Sequence, residues 1–227
     1  MDAHKAIITN IFNNSTLIEV PFFQRSYVWK ADLWARMIED LEYIVKTNKP
    51  HFFGSIILKE GRRPHPGENF TDCRTIVDGQ QRLTTFILFM KVLCLKLGQS
   101  TTFDCQFRIM GQSIALRHGR NDIEAFERVM ASTSADKIDN PAPQSRIIEA
   151  YNYFVDHIDE NKLNIMMVMM NAQFVRIDLN ADEDEQQIFN TINSLGVNLT
   201  TSELLKNYFF SRDTISEYEA NWAYVFE

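Results

Sequence analysis

Thr75-Ile76-Val77-Asp78-Gly79-Gln80-Gln81-Arg82-Leu83-Thr84-Thr85 is the stretch on which the reading of this chain depends. It opens with β-branched residues suited to a strand, breaks at Asp78-Gly79, and continues into an apolar helical run that ends near Gly98, where glycine suits a left-handed cap. A strand that turns through glycine into a helix points free backbone N–H groups, and the positive end of the helix dipole, at one spot. Such a spot attracts phosphate, and glycine lets a ligand approach the backbone closely. Arg82 is placed to add a two-pronged phosphate contact, and Asp78 can accept from a ribose hydroxyl or hold a hydrated metal ion. The same residues also admit a local explanation. Asp78 and Gln81 have capping-box spacing, which by itself satisfies first-turn donors. Capping does not account for Gln80 and Arg82 beside Thr84 and Thr85, a polar cluster opening an otherwise apolar helix. The turn is not a P-loop, because no Gly-Lys-Ser/Thr and no G-x-G-x-x-G occurs in the chain.

Outward from this turn, Thr16 to Trp29 is rich in β-branched and aromatic residues and reads as extended chain, with Pro21 suited to an edge or a bend. Leu33, Met37, Leu41, Ile44 and Val45 recur at helical spacing between Asp32 and Lys46. His51 to Leu58 reads as a strand, Lys59 to Asp72 as a polar loop, and Cys73 to Val77 as the strand that feeds the turn. Downstream, Phe103 to Ile109 is expected to be a strand, and Asp122 to Met130 and Ser145 to Ile158 helices. Phe174 to Leu179 alternates like a half-buried strand. The carboxylates of Asp182 to Glu185 open a helix through Ile192, where negative charge complements the dipole. Thr200 and Glu203 have capping-box spacing ahead of Leu204. Ile215 to Glu227 is helical in character and stops without a cap, as though the chain were part of a longer protein. The fold class expected is α+β, with an α/β core over residues 1–110 and a helix-rich part over 111–227 packed on it as a single domain.

Of the 227 residues, 45% are hydrophobic and 23% charged, an ordinary globular composition with ample material for a core. The net charge of −7 argues against holding DNA through the overall field of the domain, because phosphate neutralisation needs cations. A nucleotide needs only a few well-aimed donors. Cys73, Cys94 and Cys105 are odd in number and lack C-x-x-C spacing, so neither a disulfide framework nor a structural zinc site is expected. No apolar run is long enough to span a bilayer, and Ile165 to Met170 is of the length that buries in a core. No membrane partner is expected, and the cytoplasm is the expected location.

The turn and three further blocks resemble the GmrSD-type restriction-enzyme N-terminal domain family. The blocks are Val20-Pro21-Phe22-Phe23-Gln24-Arg25-Ser26-Tyr27-Val28-Trp29, then His51-Phe52-Phe53-Gly54-Ser55-Ile56, then Ile188 to Leu199 continuing into Leu204-Leu205-Lys206-Asn207. They occur in the family's order across residues 17 to 207. The resemblance implies a ParB/sulfiredoxin-like fold whose corresponding turn cradles nucleotide phosphates, and binding and hydrolysis of a nucleoside triphosphate with Mg²⁺, coupled to cleavage of modified or foreign DNA. Asp78, Gly79, Gln80, Gln81 and Arg82 then carry the nucleotide, with Gln80 or Gln81 orienting a water, Arg82 stabilising developing charge and Asp78 as the metal ligand. Gln24 and Arg25 are placed near the nucleotide, and Lys206 within reach of a phosphate. DNA is expected to be met by a C-terminal region or a partner subunit. The His-containing nuclease constellation of the family's longer members is absent from this sequence. The alternatives are a ParB-like DNA-binding module and a structural scaffold without nucleotide turnover.

The remaining polar residues carry less. Trp29 is expected to be a packing anchor. The histidines are scattered without an H-x-x-x-H pair, and His51 reads as a structural residue. Arg62, Arg63 and His65 make the most basic loop, with a solvated loop as the default reading. Asn193 before Gly196 can build a turn between two helices.

Overall fold

The protein is described by a computed structural model that covers residues 2–22 and 24–181. Its centre is a six-stranded mixed sheet, formed by β1 (Asp2–Ile7), β2 (Thr16–Glu19), β3 (His51–Glu60), β4 (Asp72–Asp78), β7 (Leu116–Arg117) and β8 (Ala172–Leu179) in the order β1-β8-β3-β4-β2-β7. β1 runs antiparallel to β8 and β3 antiparallel to β4, whereas β8–β3, β4–β2 and β2–β7 are parallel. Two further short strands, β5 (Arg108–Ile109) and β6 (Ser113–Ile114), form a separate hairpin. The helices are α1 (Ile8–Ile11), α2 (Ala31–Thr47), α3 (Gln80–Lys96), α4 (Ser100–Phe107), α5 (Arg120–Met130), α6 (Arg146–His157) and α7 (Ile165–Asn171). The class is α+β, as the alternation of patterns predicts.

Side-chain alternation along the central strands gives the sheet two apolar faces. Ile56 and Leu58 of β3, Ile76 of β4 and Phe174 of β8 join the main core, while Ile57, Val77 and Leu179 form a second, smaller cluster. α3 lies in the middle of the main core, and an unbroken run from Leu83 to Cys94 is buried on every side. A helix apolar all round is what such a position demands. Phe86 meets Phe53 and Phe174 edge-on at 6.2 and 6.0 Å, and Phe89 meets Phe154 of α6 at 5.6 Å. Lys91, buried in the same helix, donates its ammonium to the Met130 carbonyl at 2.9 Å and lies over the Phe103 ring. α2 and α6 show the narrower stripe of surface helices, burying Trp34, Met37, Ile38, Leu41 and Ile44 from one, and Ile147, Ile148, Tyr151 and Phe154 from the other.

Three expectations change. Phe103 to Ile109 is helix α4 up to Phe107, with only Arg108–Ile109 extended. Phe103, Cys105, Phe107 and Ile109 alternate like a strand, yet Phe103 and Phe107 also stand one helical turn apart. Both are buried with ring centroids 4.9 Å apart, and Phe12 closes on Phe107 at 5.5 Å. Thr16 to Trp29 holds its strand only to Glu19, and a turn follows in which the Gln24 N–H bonds the Pro21 carbonyl. The sheet is not confined to residues before 110, because β8 is inserted between β1 and β3. The helix opened by Asp182 to Glu185, the Thr200–Glu203 capping box, Asn193, Lys206, Asn207 and the Ile215–Glu227 helix lie outside the described residues.

Candidate functional site

At the end of β4 the chain passes through Gly79 with φ 99° and ψ 4° and begins α3 at Gln80. That left-handed conformation is one glycine adopts freely. Space demands glycine as well, because a Cβ there would stand 3.1 Å from Ile56 Cγ1 and 3.2 Å from the Ser55 carbonyl oxygen. Gly79, and not Asp78, is thus the residue that caps the helix, and among the described residues no side chain accepts from the first-turn N–H groups. The capping box expected from Asp78 and Gln81 does not form. Among the described residues the N–H groups of Gln80, Gln81 and Arg82 are left as the orphan donors that every helix start presents, with no acidic side chain in that turn.

The three glutamines of the candidate site do something the sequence did not disclose: they hold one segment, residues 24–28, against the turn. Gln24 Nε2 donates to the Val77 carbonyl at 2.9 Å, Gln80 Nε2 to the Arg25 carbonyl at 3.1 Å, and Gln81 Nε2 to the Ser26 carbonyl at 3.1 Å. Gln81 Oε1 in turn accepts the Val28 N–H at 2.8 Å. An irregular segment beside a sheet has backbone groups that the sheet does not satisfy, and amide side chains with a donor and an acceptor each are suited to supply them. The buried Oε1 of Gln80 is left without a hydrogen-bond partner among the described residues. The strap is anchored further at Tyr27, which is 2% exposed. Its hydroxyl bonds Thr85 Oγ1 at 2.6 Å and accepts the Trp34 indole N–H at 2.8 Å. Burial pushes the Tyr27 phenol far above its usual range. The polar pair Thr84-Thr85 thereby finds its use, with Thr85 on the strap and Thr84 Oγ1 3.1 Å from His118 Nε2.

Arg82 points the other way. Its guanidinium donates to the Ser55 carbonyl and stands 3.9 Å from Asp78 Oδ2, with both side chains about one quarter exposed. Room for it is made by Gly54, at φ 105°, where a Cβ would lie 3.0 Å from Arg82 Nε. Gly54 sits in the irregularity where the β3–β8 register shifts between Phe52 and Ser55. Arg82 also borders a cleft of about 190 Å³ with Trp29, Arg36, Asp40, His51 and Phe53. Trp29 is half-buried against the core, in keeping with a packing anchor. His51 pairs with Asp40 at 3.5 Å and meets the Phe53 ring edge-on.

The structure therefore brings Gln24, Arg25, Asp78, Gly79, Gln80, Gln81 and Arg82 to one place. Tyr27, Gly54, Ser55 and Asp122 are the supporting residues that sequence reasoning did not assign. A glycine inside a strand pattern was the available signal for Gly54. Asp122, whose Oδ2 accepts the Tyr27 N–H at 2.7 Å, lies 95 positions away and carries no local signal. Within the basic loop Arg62 pairs with Glu68 at 2.6 Å, and this contact holds the Glu68 carboxyl down at about 2. Cys73 and Cys94 are buried thiols and Cys105 an exposed one.

Among the described residues no cluster of three or more His, Cys, Asp or Glu side chains is placed to hold a metal ion. No helix there is long and apolar enough to cross a membrane. No curated protein matches the chain. The model of the GmrSD restriction endonuclease N-terminal domain matches residues 8–210, which takes in the strap, the turn and the whole sheet after β1. This chain therefore belongs to the GmrSD restriction endonuclease N-terminal domain family and, through it, to the proteins of DNA restriction and phage defence.

Proposed function

We propose that this domain binds a nucleoside triphosphate at the Asp78–Arg82 turn and hydrolyses it, serving as the regulatory module of its restriction protein. The observation that carries this reading is the start of α3. The helix begins at a left-handed glycine, receives no side-chain cap among the described residues, and has the Arg82 guanidinium 3.9 Å from the Asp78 carboxylate on its flank. Uncapped first-turn N–H groups beside an arginine are suited to a phosphate chain. Arg82 would stabilise charge that develops on the phosphate oxygens. Gln80 or Gln81 would orient the attacking water, and either must then exchange its strap carbonyl for that water. Gln24 and Arg25 border the nucleotide through the strap, and Lys206 is assigned to a phosphate.

A single carboxylate fits magnesium, which takes one or two carboxylates and completes its shell with phosphate oxygens and water. Asp78 is the residue that would hold it, and the ion would supply charge neutralisation on those oxygens. DNA contact belongs to a C-terminal region or a partner subunit, because the net charge of −7 gives this chain no attractive overall field. The cytoplasm is the compartment this role requires.

The test is thermal stability with ATP, GTP, CTP and UTP plus Mg²⁺, followed by phosphate release, for the parent and Arg82→Ala. A ligand that binds only the folded state must raise its melting temperature, by about 2.7 kcal/mol of stability at a hundredfold excess over Kd. The expected result is a rise with at least one nucleotide that Arg82→Ala abolishes. Full turnover in Arg82→Ala would overturn the assigned role of that side chain. The engagement of Gln24, Gln80 and Gln81 with backbone favours a second reading, a scaffold that only positions an effector. Absence of any shift at any nucleotide concentration would decide for the scaffold.

A further inference from the structure

The cleft of about 190 Å³ that Arg82 borders lies between α2 and the start of β3, and two residues join it to the turn. Arg82 is one of them, in the first turn of α3. Trp29 is the other, and it follows directly on Val28, whose N–H is held by Gln81 Oε1 at 2.8 Å. Phe52 and Phe53 both line the space, although a regular strand sends neighbours to opposite faces. They stand where the β3–β8 register shifts between Phe52 and Ser55. Phe53 is fixed from behind, stacked on Phe174 at 5.7 Å and edge-on to His51 at 4.9 Å. Phe52 is 58% exposed. Reachable rings beside a fixed one make a platform on which a flat ligand stacks. Sites that enclose a whole drug-sized ligand run to about 300–1,000 Å³. A cleft of about 190 Å³ seats one ring system and leaves whatever is attached to that ring outside.

We propose that this cleft seats the base of the nucleotide whose phosphates the turn holds, and that it does so by stacking. The inference rests on the nucleotide reading of the turn. Every base has a π-face, so a stacking platform accepts all of them. The polar groups of the lining agree. Asp40 and His51 stand 3.5 Å apart with their side chains about 26% and 31% exposed, within reach of a ligand edge. A carboxylate accepts an amino or ring N–H, and each of the four common RNA bases presents at least one. Among the described residues two arginines, Arg36 and Arg82, line the cleft against the one carboxylate of Asp40. That excess of positive charge suits a ring that carries phosphate and disfavours a cationic one. The phosphate chain then leaves the cleft past Arg82, the residue that cleft and turn share.

The experiment is a melting-temperature titration of the full chain, with Mg²⁺ and ATP, CTP, GTP, UTP or inorganic tripolyphosphate, which carries the phosphates without a base. Three proteins are compared: the parent, Phe52→Ala and Leu33→Trp. Phe52 is largely exposed, so its loss leaves the core intact, and Leu33 is a half-buried residue of α2 at which an indole fills the cleft. Stacking a base on an aromatic ring corresponds to about 5–100-fold in Kd. The parent is therefore expected to hold the nucleotides at least about tenfold more tightly than tripolyphosphate, and both variants to lose that preference. Nucleotides held no more tightly than tripolyphosphate by the parent would overturn the cleft and leave the turn standing. A preference that survives in either variant would overturn the proposal too. Loss of tripolyphosphate binding together with the nucleotides in Phe52→Ala would put phosphate in the cleft and overturn it as well. Binding of neither ligand by the parent would overturn the nucleotide reading of the turn and this proposal together.

Discussion

Replacing Asp122 by asparagine is expected to stabilise this protein at neutral pH and to leave it nearly unchanged at pH 4. The Asp122 side chain is 11% exposed, accepts the Tyr27 N–H at 2.7 Å, and faces the buried imidazole of His118 at 4.0 Å. Burial pushes its carboxyl from 3.8 up to about 6, against the lowering influence of the Tyr27 N–H. A carboxyl whose folded value is raised binds its proton more tightly in the folded protein than in the unfolded chain. Its contribution is therefore complete below pH 3.8, falls as pH rises to about 6, and is a constant cost above that. About 2 units of difference correspond to about 3 kcal/mol. Asparagine has the same shape, keeps an oxygen for the Tyr27 N–H and carries no charge to desolvate.

His118 pulls in the opposite direction. Burial lowers it from 6.5 to about 3, so its contribution is present above pH 6.5 and is lost as pH falls toward 3. Between about pH 4 and 6 the two slopes oppose each other in the parent. The asparagine variant should lose the Asp122 slope and keep that of His118. Urea denaturation at half-unit steps from pH 4 to 8 measures this directly. Near pH 7.5 the variant should melt about 6–12 °C higher, at about 2–4 °C per kcal/mol for a domain of this size. A variant less stable than the parent at pH 7.5 would show that the charged hydrogen bond to Tyr27 outweighs burial. Profiles that run parallel from pH 4 to 8 would refute the assignment of a raised value to Asp122.

Gly79→Ala should cost about 1–3 kcal/mol in denaturant unfolding, since it puts a Cβ on a residue at φ 99° and 3.1 Å from Ile56 Cγ1. An unchanged midpoint would mean that the turn can relax. Phe89→Ala, which removes a fully buried ring from the middle of α3 and its edge contact with Phe154, should cost about 3–5 kcal/mol by the same measure. In the native protein a thiol reagent should modify Cys105 alone. Cys73 and Cys94 are buried, and burial holds the Cys94 thiol up at about 12, so rapid modification of all three without denaturant would contradict the core described above.

The strand–glycine–helix passage from Asp72 to Lys96 was written in the sequence because its causes are local. β-branched Thr75, Ile76 and Val77 favour extension, Gly79 permits the left-handed turn, and the apolar run that follows fits a fully buried helix. The stripes of α2, α5 and α6 were equally legible, since a 3.6-residue period needs no knowledge of the partner. Tertiary structure decided everything that turns on which distant segment is met. β1 exists as a strand because β8, some 170 positions later, supplies its ladder partners from Gln173 to Asp178. Phe103 to Phe107 became helical because both rings found one apolar face against Phe12. In the candidate site, sequence placed Gln80, Gln81 and Arg82 at a helix start. Only the fold showed the glutamines spending their amides on a strap 53 to 55 positions upstream and the arginine turned toward Ser55. The physical reason is the same throughout: backbone preference is set by neighbouring residues, whereas the partner of a polar side chain is set by how the whole chain closes on itself.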